Sequence, residues 1–570
     1  MTFPVHNLKK YKVKYCLYIF YKLVNLIFSI LQPFIFAKIL NLVYDKDIKK
    51  TYIYISILLL CYLIKSFTSY ISDSTKNYVN NYMIEDIKAD MIKAVIYFKT
   101  CIFDKTKIGE FVSKFHSDVI AIVDFIVDYI PTIFIEIFKI IIIGIVISSV
   151  DYKLMLMLLL GAIIVTSIFI RFGKKIRKKY IEFRKIADIY FSNMYETMTN
   201  IREIKNLGIR DICINKSIGI FDDIRKGENE YENLCLLSEL VTTIIDNIVI
   251  IIVMFWSSYL VFSSSMSVDK FIIFFSYSAQ FSSSLKVIAS LNSKIQASSV
   301  SFKRVYEIIF DSEKIENLSR CTNKINNIEK IEMKKVSFSY SENIKVLDKI
   351  SMSFNENGLV AIVGPSGNGK STILHILNRL YDTYDGEVLF NNINLKSISE
   401  ESLRCNITRV FQEPLMFNIS IFDNFKIIKR DITKEEIIKY CKKAYIHDFI
   451  ISLPEGYDTI INENSSNISI GQKQRLAIAR ALASGAKVLL FDEITSSLDN
   501  EAQEYINKTI NEIKRNHIIV VVSHKISNIT NANKIYVVNK GKIENKGTHE
   551  YLLGNCKLYK ELYELELSVK

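Results

Sequence analysis

Residues 359–380 read LVAIVGPSGNGKSTILHILNRL, and this stretch decides the fold of the second half of the chain. An apolar run, LVAIV, leads into Gly364-Pro365-Ser366-Gly367-Asn368-Gly369-Lys370-Ser371-Thr372, and a helix-periodic run follows. The pattern fits G-x-x-x-x-G-K-[ST] in the context that gives it meaning, a strand before and a helix after. Glycines let the backbone wrap phosphate groups, and the N–H groups opening the helix supply partial positive charge. Lys370 is placed to reach the outer phosphates, and Ser371 to offer its hydroxyl to Mg2+. The plainer alternative is a glycine-rich turn with an incidental lysine.

Two downstream segments argue against that alternative. The run Val488-Leu-Leu-Phe-Asp492-Glu493 is a buried-strand pattern ending in two carboxylates. Asp492 at the strand end is placed to hold a metal's hydration shell, and Glu493 to polarise an attacking water. His524 closes another apolar strand, HIIVVVSH, where it can touch a γ-phosphate. From about 329 onward β-rich and helical runs alternate, which predicts a parallel sheet with crossover helices.

The first 300 residues have a different texture. Six segments are long and apolar enough to cross a bilayer as helices: 14–43, 51–72, 127–150, 152–172, 236–263 and 269–291. The gaps after the first, third and fifth are short; those at 73–126 and 173–235 are long, charged and helix-periodic. This spacing predicts long helices that run past the membrane into water and turn back. Lys and Arg crowd the long gaps, as in RFGKKIRKKY, which puts these gaps and both termini on the cytoplasmic side. The net charge of +13 follows the same rule, and nucleic acid is not an expected partner. Nine cysteines with no CxxC pair read as free thiols.

Charges inside spans are costly and mark candidate functional positions. Glu136 and Lys139 lie three apart on the third span, Asp246 and Asn247 on the fifth, Gln280 and Lys286 on the sixth. Glu136, Lys139, Asp246 and Lys286 are candidates for a polar substrate cavity. Helix-to-helix pairing or snorkelling is the structural alternative.

Taken together, residues 329–560 resemble an ABC-type ATPase domain. The resemblance implies roles for further positions. Tyr340 in VSFSY matches the aromatic that stacks on adenine, and Gln412 in VFQEP the Q-loop glutamine, which senses Mg2+ and the attacking water. Ser469-Ile470-Gly471-Gln472 matches the signature, Ser496-Ser-Leu-Asp499 the D-loop with Asp499, and His524 the switch histidine. FDKTKIGEFVSKFHSDV and NMYETMTNIREIKNLG are similar to the two cytoplasmic coupling regions of exporters. The implied fold is an all-α, six-helix exporter-type transmembrane domain (1–300), a linker (301–328) and an α/β P-loop, RecA-like nucleotide-binding domain (329–570). The implied cofactors are ATP and Mg2+. The implied activity is ATP hydrolysis coupled to export of a small molecule, lipid or peptide across the plasma membrane by alternating access. An ATP-switched membrane sensor, or an importer with exporter-like architecture, are the alternatives.

One departure carries information. The family's L-S-G-G-Q signature is ISIGQ here, with Ile470 in place of the first glycine. The signature faces the γ-phosphate bound by a partner subunit, and a β-branched residue there is stiff and bulky. The stretch just upstream keeps Glu463 but lacks the usual glycines. Since Glu493, Gln412 and His524 are retained, the resemblance implies a heterodimer with an unlike second half-transporter, in preference to a homodimer that tolerates Ile470.

Overall fold

A computed structural model of the chain describes residues 5–104, 106–263, 266–311, 321–341, 344–355, 357–461, 468–494 and 498–568. The chain divides into two compact units, the first of residues 1–98 and 102–315 and the second of residues 99–101 and 316–570.

The first unit is built of six long helices: α1 (Lys12–Tyr44), α2 (Ile48–Ile96), α3 (Ile108–Val150), α4 (Tyr152–Thr199), α5 (Arg210–Phe262) and α6 (Val268–Phe310). All six contain a stretch long and apolar enough to cross a membrane. The helices after the long gaps extend far beyond those stretches, as the charged periodicity predicts. Helix α6 runs on to Phe310, so the stretch assigned to a linker from residue 301 is helical up to that point. The short turns are set by caps. The Asp47 carboxylate accepts from the Lys50 N–H, and Asp151 accepts from the N–H groups of Lys153 and Leu154 at 2.7 and 3.3 Å. Helix α3 is not uniform: π-helical turns at Lys114–Asp118 and Phe125–Tyr129 interrupt it. Such turns re-aim side chains within a helix, and each of these carries an acid, Asp118 and Asp128.

The second unit holds two sheets. A six-stranded sheet has the order β10-β9-β3-β8-β7-β6. Its parallel core is β3 (Gly358–Val363), β6 (Ile407–Val410), β7 (Val488–Asp492), β8 (Ile518–Val522) and β9 (Lys534–Asn539). Strand β10 (Lys542–Gly547) adds an antiparallel edge. Alternate residues of β3, β7 and β8 enter two different apolar clusters, one on each face. Burial on both faces explains why these strands read as continuous hydrophobic runs. The sequence predicts only this parallel sheet. A second, antiparallel sheet, β2-β1-β4-β5, is formed by β1 (Lys330–Ser341), β2 (Ile344–Asn355), β4 (Asp385–Phe390) and β5 (Ile393–Asn394). Its members lie on both sides of the phosphate-loop segment in the chain, so no local pattern announces the pairing. Three helices position the site: α7 (Lys370–Leu377), α8 (Ile470–Ala483) and α9 (Asn500–Ile513).

Candidate functional site

The phosphate loop links β3 to α7 and leaves no room for substitution at its first glycine. Gly364 has φ +151°, and a Cβ there would lie 2.0 Å from the Val538 carbonyl oxygen. Ser366 and Gly367 form the exposed crest, and Gly369 caps α7 in the left-handed region. Lys370 is buried, and its amine donates to the carbonyls of Gly364 and Pro365, both at 2.9 Å. Burial lowers the pKa of its ammonium below the ordinary lysine value, against the opposing pull of Glu493 and Asp492. The Tyr340 hydroxyl lies 3.0 Å from that of Thr372, and the Tyr340 ring meets Phe338 and Tyr381 edge-on.

The acids sit where the parallel strands end. Ser371 Oγ donates to Asp492 Oδ1 at 3.0 Å, which joins the helix after the loop to the end of β7. Glu493 follows with φ +48°, a left-handed conformation that a non-glycine residue adopts at a cost of order 1–3 kcal/mol. Its N–H donates to the Val522 carbonyl at 3.0 Å, which fixes the turn to the end of β8. His524 Nε2 meets the Glu493 carboxylate directly. Loop, lysine, hydroxyl, two acids and histidine therefore converge from segments spread over 160 residues, 364 to 524.

The remaining motif residues fall into two local structures. At the N-terminus of α8, Ser469 and Gln472 close a capping box: the Gln472 N–H donates to Ser469 Oγ at 3.2 Å, and the Ser469 N–H to Gln472 Oε1 at 2.8 Å. Gly471 is needed for packing, since a Cβ there would lie 2.9 Å from that of Ala502 on α9. Asp499 caps α9 by accepting from the Ala502 N–H at 2.8 Å. Ile470 stands in the first turn of α8 in ordinary helical conformation, with its side chain half exposed. The steric cost expected from replacing a glycine is thus not incurred within the chain itself; it can arise only against a partner. Glu463 and Ser496 lie outside the described residues.

Residues 15–285 match the family model of the ABC transporter transmembrane region, and residues 347–496 match that of the ABC transporter. The chain belongs to the ABC transporters. It has the exporter half-transporter layout, six spans ahead of one nucleotide-binding domain, and such half-transporters work as dimers. ATP hydrolysis coupled to export is the activity of this layout. The ABC transporter B family member 1 of Dictyostelium discoideum is 31% identical over 85% of this chain, which spans only 53% of that relative's length. An ATP-dependent lipid A-core flippase of Desulfotalea psychrophila is 27% identical over 98% of both chains. The solved structure of a bacterial Atm1-family ABC exporter with ATP bound has the same fold, with TM-score 0.91, 21% identity and coverage of 98% of this chain and 99% of that one.

In the exporter's helical unit the predicted charges form two separate pairs. Glu136 and Lys139 face each other at 3.8 Å along α3. Lys286 of α6 meets Asp246 of α5 at 3.1 Å, and the Ser282 hydroxyl donates to the same carboxylate. The second pair joins neighbouring helices, as the structural alternative expects. Sequence reasoning missed other groups. Asp128 lies 3.4 Å from Lys22 and 3.8 Å from Lys76, bringing α1, α2 and α3 together. Asp118 is fully buried against Arg184 and Arg304. In the ATPase unit, buried Gln474 of α8 donates to the Phe411 and Gln412 carbonyls and so holds the Q-loop backbone, while the Gln412 residue itself is exposed. Arg409 of β6 is buried and ion-paired with Asp492. A lone arginine in the short strand ITRV was the one available signal among these; the others depend on residues far apart in sequence.

Proposed function

We propose that this ABC half-transporter is the hydrolytically competent subunit of a heterodimer in the plasma membrane, with both termini and the ATPase unit cytoplasmic. The observation that carries the reading is the strained Glu493, held against His524 beside Asp492 and Ser371. Tyr340 would stack on adenine, and residues 364–372 would cradle the phosphates. Ser371 and Asp492 fit a Mg2+ site, because a hydroxyl and a carboxylate already converge there within 3.0 Å; Gln412 would complete it. Bound Mg2+ would neutralise charge on the β- and γ-phosphates.

Glu493 orients and polarises the attacking water, His524 steadies the γ-phosphate and orients Glu493, and Lys370 balances charge developing on the transferred group. Ser469, Gly471, Gln472 and Asp499 would act on the nucleotide of the opposite subunit. Closure of the ATPase pair would switch the six-helix units from inward- to outward-facing, with Glu136, Lys139, Asp246 and Lys286 lining the path of a small molecule, lipid or peptide.

Ile470 supports an unlike partner, since it blunts only what this chain offers across the interface. Purified alone, the full chain is expected to turn over ATP slowly, and Ile470→Gly to speed it. Robust turnover by the single chain, unchanged by Ile470→Gly, would sink the heterodimer reading while leaving the catalytic one intact.

A further inference from the structure

Among the described residues of the ATPase unit, Arg409 is a buried cation that the proposed mechanism does not use. It lies on β6 opposite Leu490 of β7, and strand alternation puts Asp492 on the same face, two residues on. Its side chain is 2% exposed, and its Nη2 donates to Asp492 Oδ2. Its Nε and Nη1 have no hydrogen-bond partner among the described residues. The guanidinium carbon stands 4.6 Å from the centroid of the Phe411 ring, a weak electrostatic supplement. Ser371 Oγ occupies the other carboxylate oxygen at 3.0 Å. The acid read above as a Mg2+ ligand is therefore engaged on both oxygens by the chain's own donors, one of them a permanent cation.

This arrangement has a direct electrostatic consequence. A fixed positive charge paired with the carboxylate that would hold the metal repels a divalent cation, and water screens little at a buried site. The same charge attracts the phosphates of a metal-free nucleotide. The geometry points to Arg409 as a built-in cation that supplies part of the metal's charge, so that this site binds metal-free ATP and takes up Mg2+ less tightly than it would without the arginine. The inference rests on Asp492 being the metal-binding carboxylate. Arg409 touches neither nucleotide nor water in this scheme; it is a positioning and charge-setting residue acting through Asp492.

Two readouts should move in opposite directions, which a merely structural role would not produce. The probe is a fluorescent trinitrophenyl-ATP, bound to the full chain in lipid nanodiscs, first in EDTA and then along a Mg2+ titration; Mn2+ binding followed by electron paramagnetic resonance reports the ion directly. For Arg409→Met the metal-free affinity for the probe is expected to fall about tenfold or more, and the midpoint of the Mg2+ titration to fall by a similar factor. Arg409→Lys keeps the charge and should stay near wild type in both, and it carries the test if the methionine variant does not fold. Loss of both affinities together in Arg409→Met, no change in either, or Arg409→Lys behaving as badly as Arg409→Met would overturn the inference. Asp492→Asn separates the underlying reading. If it leaves the Mg2+ titration and the Mn2+ signal as in wild type, Asp492 is not the metal carboxylate and the inference falls with it.

Discussion

Asp118 in the helical unit and Asp492 in the ATPase unit are both buried acids facing arginine, and they have opposite consequences. Asp118 belongs to a closed set. Arg184 and the Ser301 hydroxyl bind one of its oxygens, Arg304 Nε lies 2.7 Å from the other, and Arg304 reaches on to Asp188 at 2.7 Å. Two acids and two arginines cancel, and helices α3, α4 and α6 are tied at one point. Asp492 has one arginine and one hydroxyl, next to a second acid, a lysine and the phosphate loop. Both sets balance two acids against two cations, so burial of an ion pair does not by itself mark function; the second set is set apart by its place where the parallel strands end, beside the phosphate loop and His524.

This contrast can be broken or sharpened by substitution. The largest effect should come from the open set. Glu493→Gln keeps shape and hydrogen bonding but removes the base, so turnover should fall about 10²–10⁴-fold while nucleotide still binds; normal turnover in a phosphate-release assay refutes the role of Glu493. In the closed set, Asp118→Asn leaves two arginines under-compensated and should destabilise the helical unit by about 3–5 kcal/mol. Unaltered thermal unfolding of the detergent-solubilised chain would show that the set carries no stability. Next comes a packing test between α8 and α9: Gly471→Ala drives a methyl against Ala502 and should cost about 1–3 kcal/mol, read as a lower denaturant midpoint. The smallest effect belongs to an exposed pair. Lys557 and Glu561 are 3.8 Å apart on the surface, so Lys557→Ala should leave the melting temperature unchanged. A clear shift there would undermine the distinction between buried and exposed pairs.

The ATPase site was legible because its chemistry sits on short contiguous stretches. A phosphate loop must be one turn between one strand and one helix, so Gly364 to Thr372 appear together. Asp492 and Glu493 are adjacent because the strand end and the turn after it present two carboxylates at once. The antiparallel sheet was not legible, because β1 and β2 precede the loop while β4 and β5 follow it. The capping box of Ser469 and Gln472 had a readable pattern, S-x-x-Q, that the signature's family role obscured. Ile470 differs from these: the helix holds it without strain, and the cost expected of its bulk lies against a partner subunit.

Periodicity and motif spacing by themselves determined the six spans, their long helical extensions and the ABC ATPase, since hydrophobic thickness and phosphate geometry each impose a fixed local length. Only the tertiary structure decided which charges meet. Asp118 with Arg184 and Arg304, Asp128 with Lys22 and Lys76, and Asp492 with Arg409 join residues 52 to 186 positions apart. Electrostatic pairing depends on distance in space, and no local rule of sequence encodes it.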